Sequence, residues 1–132
     1  MTVVVDTTAA IAILTSEDEA DAVMRVMAES DTTFMSAATL VELGIVLEAR
    51  FGVAGAGVLE RFLRDAGIEV MPVDREIADL ALEACRQFGK GRHPARLNLG
   101  DCFTYALAIA IDAPILCTGD DFTQTDAQVA LG

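Results

Sequence analysis

Apolar positions in this chain come in blocks rather than one by one. Val3-Val4-Val5 is an unbroken β-branched run, the pattern of a short strand covered on both faces, as in a parallel sheet. Thr32-Thr33-Phe34-Met35-Ser36, Ile68-Glu69-Val70-Met71 and Ile115-Leu116-Cys117 read as further short strands, and Val129-Ala130-Leu131 as a brief closing one. Helical periods fill the gaps. Thr7 and Thr8 offer hydroxyls to start an apolar helix over residues 9–14. Ser16-Glu17-Asp18-Glu19 has the spacing of a capping box, followed by the stripe Ala20, Val23, Met24 and Met27. Residues 37–47 make a mostly buried helix. Gly52, Gly55 and Gly57 mark a turn before an amphipathic helix with Val58, Leu59, Phe62, Leu63 and Ala66, which Gly67 ends. Asp74 caps the cleanest 3.6-residue period, Ile77, Leu80, Ala81, Ala84, Cys85 and Phe88. Residues 89–96 form a loop, and Asn98 caps a last helix running to about Ile111. Strands alternating with one or two helices predict a three-layer α/β/α sandwich with a mostly parallel central sheet, one domain over residues 1–132.

Composition narrows this picture. With 53% hydrophobic residues in 132, the chain can bury a core without cross-links. No apolar run approaches the ~20 residues of a membrane span. The start is neither basic nor long enough for a leader, and Cys85, Cys102 and Cys117 are scattered without CxxC spacing. Both features predict a reduced, cytoplasmic protein. A net charge of −12 argues against broad counterion-release binding of nucleic acid. A phosphate substrate therefore needs a local basic patch or metal ions. The absence of tryptophan and the 5% aromatic content argue against a base-stacking platform.

Most of the 21 acids lie on polar helix faces. A few do not. Asp6 ends the first strand, Glu42 interrupts an apolar helix, Asp101 precedes the apolar run from Cys102 to Ile109, and Asp120 and Asp121 follow the fourth strand. Each also has a structural explanation. Asp6 can cap a helix, Thr39-Leu40-Val41-Glu42 and Asn98-Leu99-Gly100-Asp101 fit capping boxes, and Gly119-Asp120-Asp121 fits a turn. Together they point to one edge of the sheet, where open α/β folds place their ligand crevice. Carboxylates that share a cleft raise one another's pKa. A hard divalent cation such as Mg²⁺ or Mn²⁺ resolves that conflict and can activate water against a phosphodiester. His93 is the only histidine, so a metal-free acid/base pair is missing. No GxxxxGK[ST] loop is present, and no serine or cysteine stands beside a candidate base.

On these residues the sequence resembles the PIN-domain family, in particular VapC-type toxins of bacterial toxin–antitoxin pairs. The resemblance runs over essentially the whole chain. It rests on residues 3–9 with Asp6, residues 36–42 with Glu42, residues 97–106 with Asp101, and Thr118-Gly119-Asp120-Asp121-Phe122. The third motif is the most specific. In the fourth the spacing is compressed, and Asp120 is favoured over Asp121. The resemblance implies a Mg²⁺-dependent endoribonuclease acting on tRNA or ribosomal RNA, a homodimer, and a VapB-type antitoxin. It implies that Asp6 and Asp101 hold the metal most directly and that Glu42 and Asp120 complete the cluster.

Arg86, Lys90, Arg92 and Arg96 gather four of nine basic residues just before Asp101. Lys90, Arg92 and Arg96 are candidate contacts to RNA backbone, against the alternative of a solvated loop. Met24 and Met27 fit either the core or an apolar groove for an antitoxin helix, whose arginine could displace metal from the acids. Two alternatives compete with the nuclease. A phosphoacceptor receiver-like domain needs paired acids after its first strand and a lysine after its last; here Asp6 stands single and Cys117-Thr118-Gly119 holds no lysine. A catalytically silent PIN-fold binding module would differ from the enzyme in failing to bind divalent ions.

Overall fold

The computed structural model describes residues 1–131. Four strands, β1 (Thr2–Val5), β2 (Thr32–Ser36), β3 (Ile68–Met71) and β4 (Ile115–Leu116), form one sheet in the order β3-β2-β1-β4. All pairings are parallel, with Val4 opposite both Phe34 and Ile115. The expected closing strand is reduced to one bridge, between Val129 and Ile115.

Helices α1 (Thr7–Leu14), α2 (Ala20–Glu29), α3 (Ala37–Phe51), α4 (Gly55–Asp65), α5 (Arg75–Phe88) and α6 (Leu99–Ile111) connect the strands. Side-chain alternation along each strand divides the apolar residues between two cores. Val4 and Ile115 face Ala81, Ala84 and Phe88 of α5 and Cys102, Tyr105 and Ala106 of α6. Val3, Val5, Met35 and Leu116 face the other layer, with Ala9, Ala10, Val23, Leu43, Leu47 and Phe62. The middle layer is therefore apolar on both faces, and the three-layer α/β/α expectation holds.

Local signals were met unevenly. Asp74 caps α5 by accepting from the Ile77 amide at 2.9 Å. The box at Ser16 does not form. Ser16 adopts φ 55°, its amide donates to the Ile13 carbonyl, and the Glu17 amide donates to the Ala12 carbonyl. That pair of bonds is a Schellman stop for α1, so Ser16 ends one helix instead of starting the next. Helix α3 is capped by Ser36, not Thr39. Helix α4 begins at Gly55, earlier than the apolar stripe suggests. A Cβ there would lie 2.8 Å from the Leu47 carbonyl and the Glu48 amide nitrogen, so only glycine allows α4 to rest on α3.

Strand order places a topological switch at β1. The chain leaves β1 for β2 on one side and returns through β4 on the other. The crevice that such a reversal opens lies beyond the carboxyl ends of those strands.

Candidate active site

Asp6 is the first residue past β1, 1% exposed. It does cap α1, yet both its oxygens are engaged further. Oδ2 accepts from the Thr8 hydroxyl at 2.8 Å and the Thr8 amide at 3.2 Å. Oδ1 accepts from the Thr104 hydroxyl at 2.9 Å. Thr104 in turn lies 3.1 Å from the Thr39 hydroxyl, and both threonines are fully buried. Because the Thr104 proton points at Asp6, Thr39 donates to Thr104, and a two-hydroxyl relay from α3 through α6 fixes the carboxylate. The Thr118 amide donates to the Thr8 hydroxyl at 3.1 Å, tying the segment after β4 to the same point.

Asp101 sits at the third position of α6. The capping box foreseen there is complete: the Asp101 amide donates to Asn98 Oδ1 at 2.8 Å, and the Asn98 amide donates to Asp101 Oδ2 at 3.0 Å. Capping and site-building are compatible here. The box uses one carboxylate oxygen, and among the described residues no donor is bonded to Oδ1. Burial, joined by the charges of Asp6, Asp121 and Glu42, pushes the Asp101 carboxyl up to about 7 against the pull of the Asn98 amide. Burial also raises Asp6 above the ordinary carboxylate range, with Glu42 adding to the effect, although its threonine donors oppose it.

Glu42 lies on the second turn of α3, where it cannot cap the helix. Its carboxylate accepts a hydrogen bond from the Thr7 hydroxyl. It also rests against the first turn of α6, where a Cβ on Gly100 would meet Glu42 Oε2 at 2.1 Å. Gly100 thus leaves the space in which Glu42 stands.

Of the two acids after β4, Asp121 is the one whose charge reaches Asp101 and Cys117. Both acids are exposed, and the backbone carbonyl of Asp120 accepts from the Thr123 hydroxyl at 2.7 Å. Charge coupling to Asp101 is what distinguishes Asp121 from the Asp120 preferred from spacing. Phe122, 2% exposed, anchors the short 3₁₀ turn Phe122–Gln124 that follows them.

None of Asp6, Glu42, Asp101 and Asp121 is in an ion pair among the described residues. Nor, among those residues, do three or more His, Cys, Asp or Glu side chains form a ready-made ligand group. The donor set nevertheless suits a hard divalent ion: it consists of carboxylate oxygens, with the Asp101 pKa raised by burial and by neighbouring carboxylates.

The basic segment lies beside this edge. Arg86, Lys90 and Arg92 line a pocket of about 570 Å³ together with Asn98 and Leu99. Arg96 is exposed but lies outside that lining, with φ 54°. His93 belongs to the loop's own structure: its Nδ1 accepts from the Ala95 amide at 3.0 Å and its ring packs edge-on to Phe88 at 5.1 Å. A second cavity, about 480 Å³, opens between α1, α2 and α4 over Ile13, Leu14, Met24, Met27, Val58 and Phe62. Met24 and Met27 therefore line a groove, and Met24 is 44% exposed.

The sequence offered Thr7 and Thr39 only as helix starters and gave Thr104 and Gly100 no role. A signal was present for two of them. Thr39 and Thr104 are aliphatic hydroxyls within apolar stretches of their helices, each three residues from a site acid.

The PIN-domain family model matches residues 3–128. "Ribonuclease VapC" of Mycolicibacterium smegmatis is 44% identical over 123 residues, covering 93% of this chain and 95% of that protein. Among solved structures, Mycobacterium tuberculosis VapC20, described as a sarcin–ricin loop cleaving toxin, superposes with a TM-score of 0.75 at 17% identity, covering 95% of each chain. VapBC2 from Rickettsia felis, bound to a DNA fragment from its promoter, gives 0.73 at 18% identity, covering 98% of this chain and 96% of that one. The chain belongs to the PIN-domain family, in the branch of the VapC ribonucleases. Among the described residues no helix is long and apolar enough to cross a membrane.

Proposed function

We propose that this protein is a metal-dependent endoribonuclease, the toxin of a toxin–antitoxin pair. The observation that carries the reading is the placement of Asp6 and Asp101. Two buried carboxylates with raised pKa meet at the switch-point edge without a protein cation. Family membership supports the same activity.

Asp6 and Asp101 would hold Mg²⁺, or Mn²⁺, and Glu42 and Asp121 would complete the acidic ring. When bound, the ion lets the carboxylates ionise together, polarises the scissile phosphate and activates the attacking water. The chain's own groups do the positioning. Thr8 and Thr104 hold Asp6 in one rotamer, Asn98 holds Asp101, and Thr7 holds Glu42. Lys90 and Arg92 supply the local positive charge that an RNA backbone needs on a chain of net charge −12, and exposed Arg96 follows them in the same loop.

The groove over Met24 and Met27 would seat an apolar helix of a VapB-type antitoxin, and an antitoxin arginine would be drawn to the acids. Val41 and Ile45, 61% and 63% exposed one turn apart on α3, offer an apolar face for a homodimer.

Cleavage of tRNA and ribosomal RNA by wild type, Asp6→Asn and Asp101→Asn, each with Mg²⁺, Mn²⁺ or EDTA, tests the reading. Discrete fragments should require the ion and both aspartates. Equal cleavage by all three proteins would mark the activity as a contaminant. No cleavage and no divalent-ion binding would leave a binding module.

A further inference from the structure

Two thiols outside the acidic ring are placed for chemistry that RNA hydrolysis does not use. Cys85 on α5 and Cys102 on α6 approach with their Sγ atoms 2.9 Å apart. Both are free, and they differ in access. Cys102 is fully buried, while Cys85 is half-buried and lines the basic pocket with Arg86, Lys90 and Arg92. One sulfur is therefore open to a small solute, and the other waits behind it. Cys102 also follows Asp101 directly, on the first turns of α6.

We propose that Cys85 and Cys102 are a redox-active pair that a hydroperoxide closes into a disulfide, clamping α5 to α6 beside Asp101 and lowering cleavage. The chemistry balances in two steps. The Cys85 sulfur attacks the peroxide: an S–O bond forms, the O–O bond breaks, and water or an alcohol departs. The Cys102 sulfur then attacks the Cys85 sulfenic acid: the S–S bond forms, the S–O bond breaks, and a second water leaves with the thiol proton. Two thiols lose two electrons, which the peroxide gains.

Closure needs the sulfurs to approach to about 2 Å, so the first turn of α6 is drawn toward α5. Asn98 and Asp101 share that turn through their capping box. Asp101 moves with it, and displacements of about 1 Å in a reacting site cost on the order of 10²-fold. The inhibitory half of this inference rests on the nuclease reading; the disulfide itself does not.

The test treats the full chain with hydrogen peroxide, blocks remaining thiols, and maps peptides by mass after trypsin and chymotrypsin, which cuts at Phe103 and Tyr105 between Cys102 and Cys117. The Cys85 and Cys102 peptides should appear linked, and reduction should separate them. The link should persist in Cys117→Ser and vanish in Cys85→Ser and Cys102→Ser. Mg²⁺-dependent RNA cleavage should fall at least about tenfold on oxidation and recover on reduction, in wild type and Cys117→Ser but not in Cys85→Ser. Separate sulfinic or sulfonic products, no reaction, or a link from Cys85 to Cys117 would overturn the pairing. A Cys85–Cys102 link that leaves cleavage unchanged would overturn the switch. If reduced wild type cuts no RNA, the nuclease reading fails, while the peptide map still decides the pairing.

Discussion

Replacing Gly100 with alanine separates the stability of this protein from its activity. The new Cβ would stand 2.1 Å from Glu42 Oε2 and 2.6 Å from its Cδ, whereas ordinary contact begins at 3.4 Å. Glu42 is a flexible side chain and the α6 backbone is not, so the carboxylate retreats, by about 1 Å or more. Alanine for glycine inside a helix gains about 0.5–1 kcal/mol. Loss of the bond from Thr7 to Glu42 costs about 1 kcal/mol. These nearly cancel, so Tm should move by no more than about 4–8 °C in either direction. Cleavage is another matter, because a site group displaced by about 1 Å is worth on the order of 10²-fold in rate. Single-turnover cleavage across a Mg²⁺ titration, with thermal denaturation of the same samples, measures both. Gly44→Ala is the control: it lies on the same helix as Glu42, and its Cβ would meet only Leu59 Cδ2 at 3.5 Å. That variant should gain stability and cut normally. If Gly100→Ala keeps wild-type cleavage and wild-type Mg²⁺ dependence, the position of Glu42 has no part in the site.

Three further outcomes are expected. Asp101 titrates at about 7 when folded against 3.8 ordinarily, so the folded state holds the extra proton between these values. Stability of the metal-free protein should therefore fall as pH rises through that window, with Asp6 acting in the same direction; urea denaturation in EDTA should show a shallower fall in Asp101→Asn, and an unchanged slope would count against the assignment. Thr104→Val removes the donor to Asp6 Oδ1 and the acceptor for Thr39. It should cost about 1–3 kcal/mol and weaken Mg²⁺ binding by calorimetry, while Thr104→Ser restores both. Lys90→Ala and Arg92→Ala should each weaken RNA binding uniformly across sequences and reduce the salt slope by about 1, as filter binding at several salt concentrations would report.

How legible the molecule was in its sequence varied with the range of the interaction. The capping box of Asn98 and Asp101 and the cap at Asp74 were readable because their bonds span only three residues. The same local grammar misled at Ser16-Glu17-Asp18-Glu19. The pattern of a helix start is also tolerated in a helix stop, and Ser16 takes φ 55° in the place where glycine is usual. Thr39 fitted a box as well, but burial against Thr104 of α6 turned its hydroxyl to the relay instead.

By itself the sequence determined the sandwich. Short strands buried on both faces and amphipathic helices between them leave few other ways to remove their apolar surface from water. It also singled out the acids that break apolar runs or end strands, because a charge in such a place must have a reason to remain there. How those acids are held depends instead on packing between distant elements. Asp6 depends on a hydroxyl 98 residues away, and Glu42 on a missing Cβ in another helix. Those relations follow from the packing of elements distant in the chain, and no spacing along one segment encodes them.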